Sequence, residues 1–347
     1  MNLHSELRAT SASDGKKSTL GMVAARAAVS PSTVSRILNG TAKVSAEKKA
    51  AVLEAIEALN FRPDPAARSL AGGRTMSIGV LTQFIDSPFY GEALRGIEDT
   101  LRINQYVPLF VSGHWNVSEE QNRMALLLDR KVDGIIVLTG KLPDAALSEA
   151  AVRVPVVVTG RDLNSHRLVS IDFDNLEGAR LAVRHLLGLG HQHIAYISGP
   201  LDHFDACQRL QGYRLELGDR DLVPDEKLIV MGDFQESGGF QAMNQLLKSG
   251  VPFSAVIAAN DQMAYGARLA LSRAGFRVPE DVSLVGFDDL PHSAFTLPPL
   301  TSVRQPVYEI GTVAANAMLT LLAGRVPDKV QIAAELVVRE STRKNVR

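Results

Sequence analysis

The sequence predicts a small all-α head followed by a larger α/β body, doubly wound and divided between two lobes. Three observations predict this. Residues 19–62 carry apolar positions at helical spacing and no strand-like run. From Met76 onward, short β-rich runs alternate with helix-length stretches. About nine such runs over some 260 residues are more than one compact doubly wound sheet usually holds, which favours two lobes.

The elements follow in order. Residues 1–18 mix Ser, Thr, Lys and Asp without periodicity and are expected to be a disordered extension. Thr19 can cap a first helix whose Leu20, Val23, Ala24 and Ala27 share one face. Ser30 can cap a second, Pro31–Leu38, in which Pro31 stands where a missing N–H costs nothing. Asn39-Gly40 is a stop pair. A third helix follows Ser45, with Val52, Leu53, Ile56 and Leu59 expected as its apolar stripe. Phe61-Arg62-Pro63 breaks it, and Pro65–Ala71 is a short helix-capable piece closed by Gly72-Gly73. The expected domains are therefore an extension (1–18), a helical head (19–62), a linker (63–75), a two-lobed body (76–341) and a tail (342–347).

In the body the strand-length runs are MSIGVLT, VPLFVS, GIIVLT, VPVVVTG, LVSIDF, HIAYISG, LIVMGD, SAVIAAN and VSLVGFDD. Runs this apolar belong to parallel sheets covered on both faces. Ligands of such sheets sit beyond the carboxyl ends of strands. Those ends carry Thr82–Phe89, Gly160-Arg161-Asp162, Asn260-Asp261 and Asp288-Asp289.

Composition limits the function classes. Of 347 residues, 46% are hydrophobic and 22% charged, which suits a globular protein. No apolar run approaches the roughly 18 residues of a membrane span. The N-terminus lacks the apolar stretch of a secretory signal, and the one cysteine, Cys207, cannot form an intramolecular disulfide. A cytoplasmic location without a membrane partner is expected. The net charge of −1 hides an asymmetry: residues 1–75 carry 11 Lys/Arg against 6 Asp/Glu, a net of +5, leaving the remainder at −6. A basic head on an acidic body fits a polyanion partner at one end.

The head has the composition of a helix-turn-helix, in which a second helix enters the major groove while the first braces it. Ser30, Ser32, Thr33 and Ser35 supply hydroxyls and free N–H groups for phosphates, and Arg36 can reach a guanine edge. On these residues alone, a plain three-helix bundle with Ser30 as an ordinary cap remains the alternative.

Longer strings carry a resemblance. TLGMVAARAAVSPSTVSRILNG, then KVSAEKKAAVLEAIEALNFRPDPAARSLAGGRT, resembles the head of the lactose-repressor (LacI/GalR) family. The likeness covers residues 19–341 and ends in ELVVREST. Two positions depart from it: Asp64 stands where Asn is usual, and Ala28 fills a turn position often held by Gly. The resemblance implies a transcriptional repressor that binds palindromic double-stranded operator DNA as a homodimer. Pro31, Ser32 and Arg36 would read bases, while Ser30, Thr33, Ser35, Asn39 and Ser45 would contact or position the backbone. Pro65–Ala71 would be a hinge helix ordered on DNA, with Leu70 as a minor-groove wedge; the alternative for Leu70 is a linker residue packed on the core. The chain ends at Arg347 without a leucine-heptad helix of the kind that joins dimers into tetramers, so a dimer is expected.

The resemblance further implies a body like periplasmic sugar-binding proteins, with a sugar-like effector between the lobes. Arg209, Asn260 and Asp288 would bind it, Phe234 would stack on it, and Phe89, Tyr90, Arg161 and Gln305 are further candidates. Gly160 departs from a strand-end position that often carries a sugar-binding Asp. Each candidate has a plainer alternative: Phe234 as core, Arg209 paired on a surface with Asp205 or Glu216, Asp261 as the cap of helix Gln262–Ala274. His185, His191 and His193 read as structural rather than metal ligands, and Cys207 as packing. No cofactor is expected. An enzyme lacks its motifs here, since there is no G-x-G-x-x-G after the first strand, no phosphate loop, no G-x-S-x-G and no H-E-x-x-H. A transport binding protein would share the body but carry a signal peptide in place of the head.

Overall fold

The computed structural model describes residues 18–38, 42, 44–61, 74–163, 165–328 and 330–346. The chain divides between Thr75 and Met76 into two compact units.

The first unit holds helices α1 (Leu20–Arg26), α2 (Pro31–Leu38) and α3 (Ala46–Ala58). Thr19 caps α1 by accepting from the Met22 N–H, and Ser45 caps α3 by accepting from Lys48. Val23, Ala24, Val34, Ile37, Val52, Ala55 and Phe61 form the core. One expectation fails. Leu53 is 51% exposed, and Ala55 takes its place beside Val52, Ile56 and Leu59. Positions 52, 55, 56 and 59 keep the 3–4 spacing of one helix face, whereas Leu53 lies about 100° around the helix from Val52. Between α1 and α2, Ala28 has φ +50°, the left-handed region that favours glycine. Asn39-Gly40, Asp64, Leu70 and the hinge Pro65–Ala71 lie outside the described residues.

The second unit contains two six-stranded sheets. The first-lobe sheet runs in the order β11-β5-β4-β3-β1-β2, with β1 (Ser77–Thr82), β2 (Val107–Ser112), β3 (Gly134–Leu138), β4 (Val156–Thr159), β5 (Leu168–Phe173) and β11 (Gln331–Ile332), all pairings parallel. The second-lobe sheet runs β12-β10-β9-β8-β6-β7, with β6 (Ile194–Ser198), β7 (Ile229–Met231), β8 (Ala255–Ala258), β9 (Ser283–Asp288), β10 (Thr301–Arg304) and β12 (Glu335–Val337). Only the β10–β12 pairing is antiparallel. The nine expected runs are β1 to β9. The three unexpected strands escaped because two are very short and β10, TSVR, is buried through Thr and Ser rather than an apolar run.

Helices cover the sheets: α4 (Pro88–Ile103), α5 (Val117–Asp129) and α6 (Asp144–Arg153) in the first lobe, and α7 (Asn175–Gly188), α8 (Phe204–Gly218), α9 (Glu236–Lys248) and α10 (Asp261–Arg273) in the second. The last, α11 (Val307–Leu322), returns to the first lobe and packs on α4 and on β3 to β5. The chain therefore crosses between lobes three times, at Asp174, at Gln305-Pro306 and at Ala333-Ala334. The segment after β12 packs on the second lobe. The Ser341 hydroxyl donates to the Leu284 carbonyl, Arg343 N–H donates to Ser283 and Asn345 N–H to Leu189. His185 and His191 face this segment, hydrogen-bonded to Thr342 and to the Arg343 carbonyl.

The α4–α11 contact is backbone-close. A Cβ at Gly96 would lie 2.1 Å from the Tyr308 carbonyl oxygen, and one at Gly311 would lie 2.1 Å from that of Ala93. Because both obstacles are backbone, neither can swing aside. Gly311→Ala is expected to cost roughly 1–3 kcal/mol by forcing the helices apart. Urea denaturation checks this, and an unchanged midpoint would refute the close packing.

Candidate DNA-reading helix and interlobe cleft

On α2, Val34 and Ile37 are buried while Ser30, Pro31, Ser32 and Arg36 are exposed, with Thr33 and Ser35 half-buried. The 3.6-residue repeat thus anchors one face in the core and leaves the polar face to solvent. Ser30 caps the helix by accepting from the Thr33 N–H at 3.2 Å, and its hydroxyl also meets those of Ser32 and Thr33, each at 2.9 Å. The Arg36 Nε donates to the Ser32 carbonyl at 3.3 Å, which holds its stem along the exposed face.

In the second unit, the carboxyl ends of strands from both lobes face a cleft of about 820 Å³. Its floor is organised by Arg209, from α8, which is 3% exposed. The Arg209 Nε donates to Asn175 Oδ1 at 2.7 Å, Nη1 to the Ala259 carbonyl at 2.6 Å and Nη2 to Gln305 Oε1 at 3.0 Å. Asp288 lies 3.5 Å from Nη1, and the Phe287 ring covers the guanidinium at 3.7 Å. This answers the cost of burying a charge, because donors are met by acceptors and the cation by a carboxylate and an aromatic face. Burial still raises the Asp288 carboxyl well above the usual range, against the pull of Arg209. Asp288 Oδ1 has no hydrogen-bond partner.

Asn260 caps α10 by accepting from Met263 and donates to the Phe234 carbonyl at 2.9 Å. That bond helps hold Phe234 at φ +67° with its ring over Gly199. Asp261, the expected cap, is instead the first helical residue. Its buried carboxylate accepts from Ser293 (2.5 Å), Ser302 (2.6 Å) and the Leu290 N–H (2.8 Å), fastening the segment after β9 to β10.

At the mouth, two contacts join the lobes. The Trp115 ring stacks on His203 with centroids 3.8 Å apart, and Lys141 donates to Asp202 at 2.6 Å. Burial pushes His203 down to about 4, so it is neutral at ordinary pH, and its Nδ1 has no hydrogen-bond partner. Lys141 is positioned from below: Glu120, fully buried, accepts from the backbone N–H groups of Lys141 and Leu142.

Residues 19–64 match the family described as bacterial regulatory proteins, lacI family, and residues 183–342 match the periplasmic binding protein-like domain. A curated relative, the HTH-type transcriptional repressor PurR of Proteus mirabilis (strain HI4320), is 33% identical over 328 residues, covering 93% of this chain and 96% of that protein. The chain belongs to the lacI family of bacterial regulatory proteins. A lac repressor dimer bound to operator and the anti-inducer ONPF superposes with a TM-score of 0.84 at 32% identity, covering 94% of this chain and all of that one. The transcriptional regulator CelR in complex with cellobiose gives 0.70 at 34% identity, covering 93% of this chain and 99% of that one. As a lacI-family member the chain is a DNA-binding transcriptional regulator, with a helix-turn-helix head and a two-lobed periplasmic-binding-protein-like body.

Of the residues that the lacI-family resemblance nominates for an effector, Phe89, Tyr90, Arg209, Phe234, Asn260 and Asp288 line the cleft. Arg161 does not reach it. Gly160 at φ +69° turns the chain, and the Arg161 guanidinium is spent on the carbonyls of Gly140 and Leu142 and on Asp144 at 2.9 Å. Gln305 sits behind Arg209, in a smaller recess. Arg209 makes neither proposed surface pair, since Glu216 is taken by Arg180 and Arg184. Cys207 lines a different depression and donates to the Leu201 carbonyl. Trp115, Lys141, Asp202 and His203 in the cleft lining, and Asn175 beside Arg209, were not among the residues expected from the sequence. The strand-end rule that found the other segments could have found them, because they follow β2, β3, β6 and β5.

Burial raises Asp261 to about 7 despite its three donors. A folded-state value above the unfolded one adds stability at low pH and loses it as pH rises through about 7. The stability advantage of the natural chain over Asp261→Asn is therefore expected to widen as pH falls from 7 to 4. Paired denaturation curves check the sign, and a narrowing advantage would contradict it.

Proposed function

We propose that this regulator binds palindromic operator DNA as a homodimer, as a cytoplasmic repressor and not an enzyme, and that a small sugar-like effector in the interlobe cleft controls its affinity. The observation that carries the reading is the cleft itself, where strand ends of both lobes present buried polar groups and aromatic rings to one cavity. That combination suits a ligand with hydroxyl edges and C–H faces. The lac repressor structure, which is a dimer on operator with an anti-inducer, and the CelR complex with cellobiose support the reading by similarity.

In this reading Pro31, Ser32 and Arg36 contact bases, and Ser30, Thr33, Ser35, Asn39 and Ser45 hold the phosphate backbone. Leu70 of the hinge Pro65–Ala71 wedges the minor groove. Phe89, Tyr90, Arg209, Phe234, Asn260 and Asp288 contact the effector, and Gln305 acts through Arg209. Effector binding changes the angle between lobes joined by three crossovers, and the hinge passes that change to the head. Coupling of this kind requires the effector to prefer one lobe arrangement; release of DNA by the sugar is the direction favoured.

Arg36→Ala is expected to lose roughly 1–3 kcal/mol of operator affinity and to relax specificity at one base. A footprinting titration with unchanged affinity and specificity would remove Arg36 from base reading. Arg209→Ala should bind operator normally but no longer respond to the sugar that raises the melting temperature in a thermal-shift screen. A normal response in a reporter assay would exclude Arg209 from effector sensing.

A further inference from the structure

The cleft is strongly biased in charge. Its lining includes six acidic side chains, Asp86, Asp202, Asp205, Asp233, Glu236 and Asp288; burial raises the Asp205 and Asp288 carboxyls above the usual range, and the other four stand against two cations, Lys141 and Arg209. Both cations are already engaged, Lys141 by Asp202 at 2.6 Å, and Arg209 by three acceptors and Asp288. His203 is neutral, and His114 faces Glu119 at 2.8 Å. An incoming phosphate or carboxylate would meet acceptors and like charges without a cation to spare, and like charges brought together repel.

Among the described residues, two polar atoms in the lining lack a hydrogen bond: His203 Nδ1, on a residue 7% exposed, and Asp288 Oδ1, on a side chain 4% exposed and met only by the ion pair with Arg209 Nη1 at 3.5 Å. Buried polar atoms normally have a hydrogen-bond partner, so these mark where a ligand completes the set. A hydroxyl both donates and accepts, and it satisfies either atom in any protonation state or tautomer. Phe89, Phe234 and Trp115 supply apolar faces for the C–H surface between hydroxyls.

We propose that the cleft admits uncharged, polyhydroxylated ligands and excludes anionic ones, including phosphate esters and sugar acids. This rests on reading the cleft as the effector site, and it names the charge class that the site accepts. A protein that senses through such a cleft responds to the free sugar and not to its phosphorylated form. Its signal is then removed by the phosphoryl-transfer class of reaction that consumes the free sugar.

Trp115 is the one tryptophan of the chain and lies in the cleft lining, so its fluorescence reports the cleft directly. In the full-length protein at fixed ionic strength, quenching by caesium and by iodide is compared, each scaled to free N-acetyltryptophanamide. Caesium is expected to quench at least about twofold more effectively than iodide, and Asp86→Lys with Asp233→Lys should reverse the order. Iodide quenching equal to or stronger than caesium's would overturn the proposal. Titrations with glucose, cellobiose, glucose 6-phosphate and gluconate form the second arm. An uncharged sugar that shifts Trp115 emission at concentrations at least about tenfold below its anionic counterpart supports the proposal, and the opposite order overturns it; if none shifts the emission, the quenching order decides. If an uncharged sugar shifts the emission but leaves operator affinity unchanged, the effector reading fails while the charge rule stands.

Discussion

The buried guanidinium of Arg209 is the constraint on which the cleft of this protein depends. It bonds to the ends of two strands of the second lobe, through Ala259 after β8 and Asp288 at the end of β9. It also bonds to Asn175, just after the first crossover, and to Gln305, at the start of the second. One side chain therefore ties the cleft floor to two of the three strands of chain that join the lobes. A buried cation must have its partners, so displacing any of them exposes an unmet charge. A ligand that reaches Asp288 consequently acts on the same network that holds the crossovers.

The rest of the site is arranged around that floor by local backbone devices. Asn260 caps α10 and grips the Phe234 carbonyl, so helix start and aromatic ring are set by one amide. Asp261, one residue later, fastens the segment between β9 and β10 through two hydroxyls and a backbone N–H. Glu120 and Arg161 do the same for the loop carrying Lys141 in the first lobe. The mouth contacts, Trp115 on His203 and Lys141 on Asp202, then bring loops of the two lobes together.

Much of this was legible in the sequence, for identifiable reasons. Apolar runs of strand length produced β1 to β9, because buried parallel strands leave a continuous hydrophobic signature. Sequence-local groups such as Thr19, Ser30 and Ser45 were recoverable because a cap bonds only two or three residues ahead. What failed depends on direction or distance. Leu53 differs from Val52 only by its angle around the helix. Arg161 sits beside a strand end, but the left-handed Gly160 sends it into a loop of its own lobe. The Trp115–His203 and Lys141–Asp202 pairs join positions far apart in sequence, and only the folded lobes bring them together. Of the residues expected to contact DNA, those of α2 lie on its polar face, while Asn39 and Leu70 fall outside the described residues.

In the proposed coupling, ligand occupancy of the cleft is transmitted through the crossovers tied to Arg209. Hydrogen–deuterium exchange on the operator-bound full-length protein, with and without the sugar selected by thermal shift, tests it most directly. Changed protection is expected at residues 173–175, 305–307 and 333–334 together with the cleft floor. Changed protection in residues 19–61 alone, with the crossovers and the floor unaltered, would contradict it.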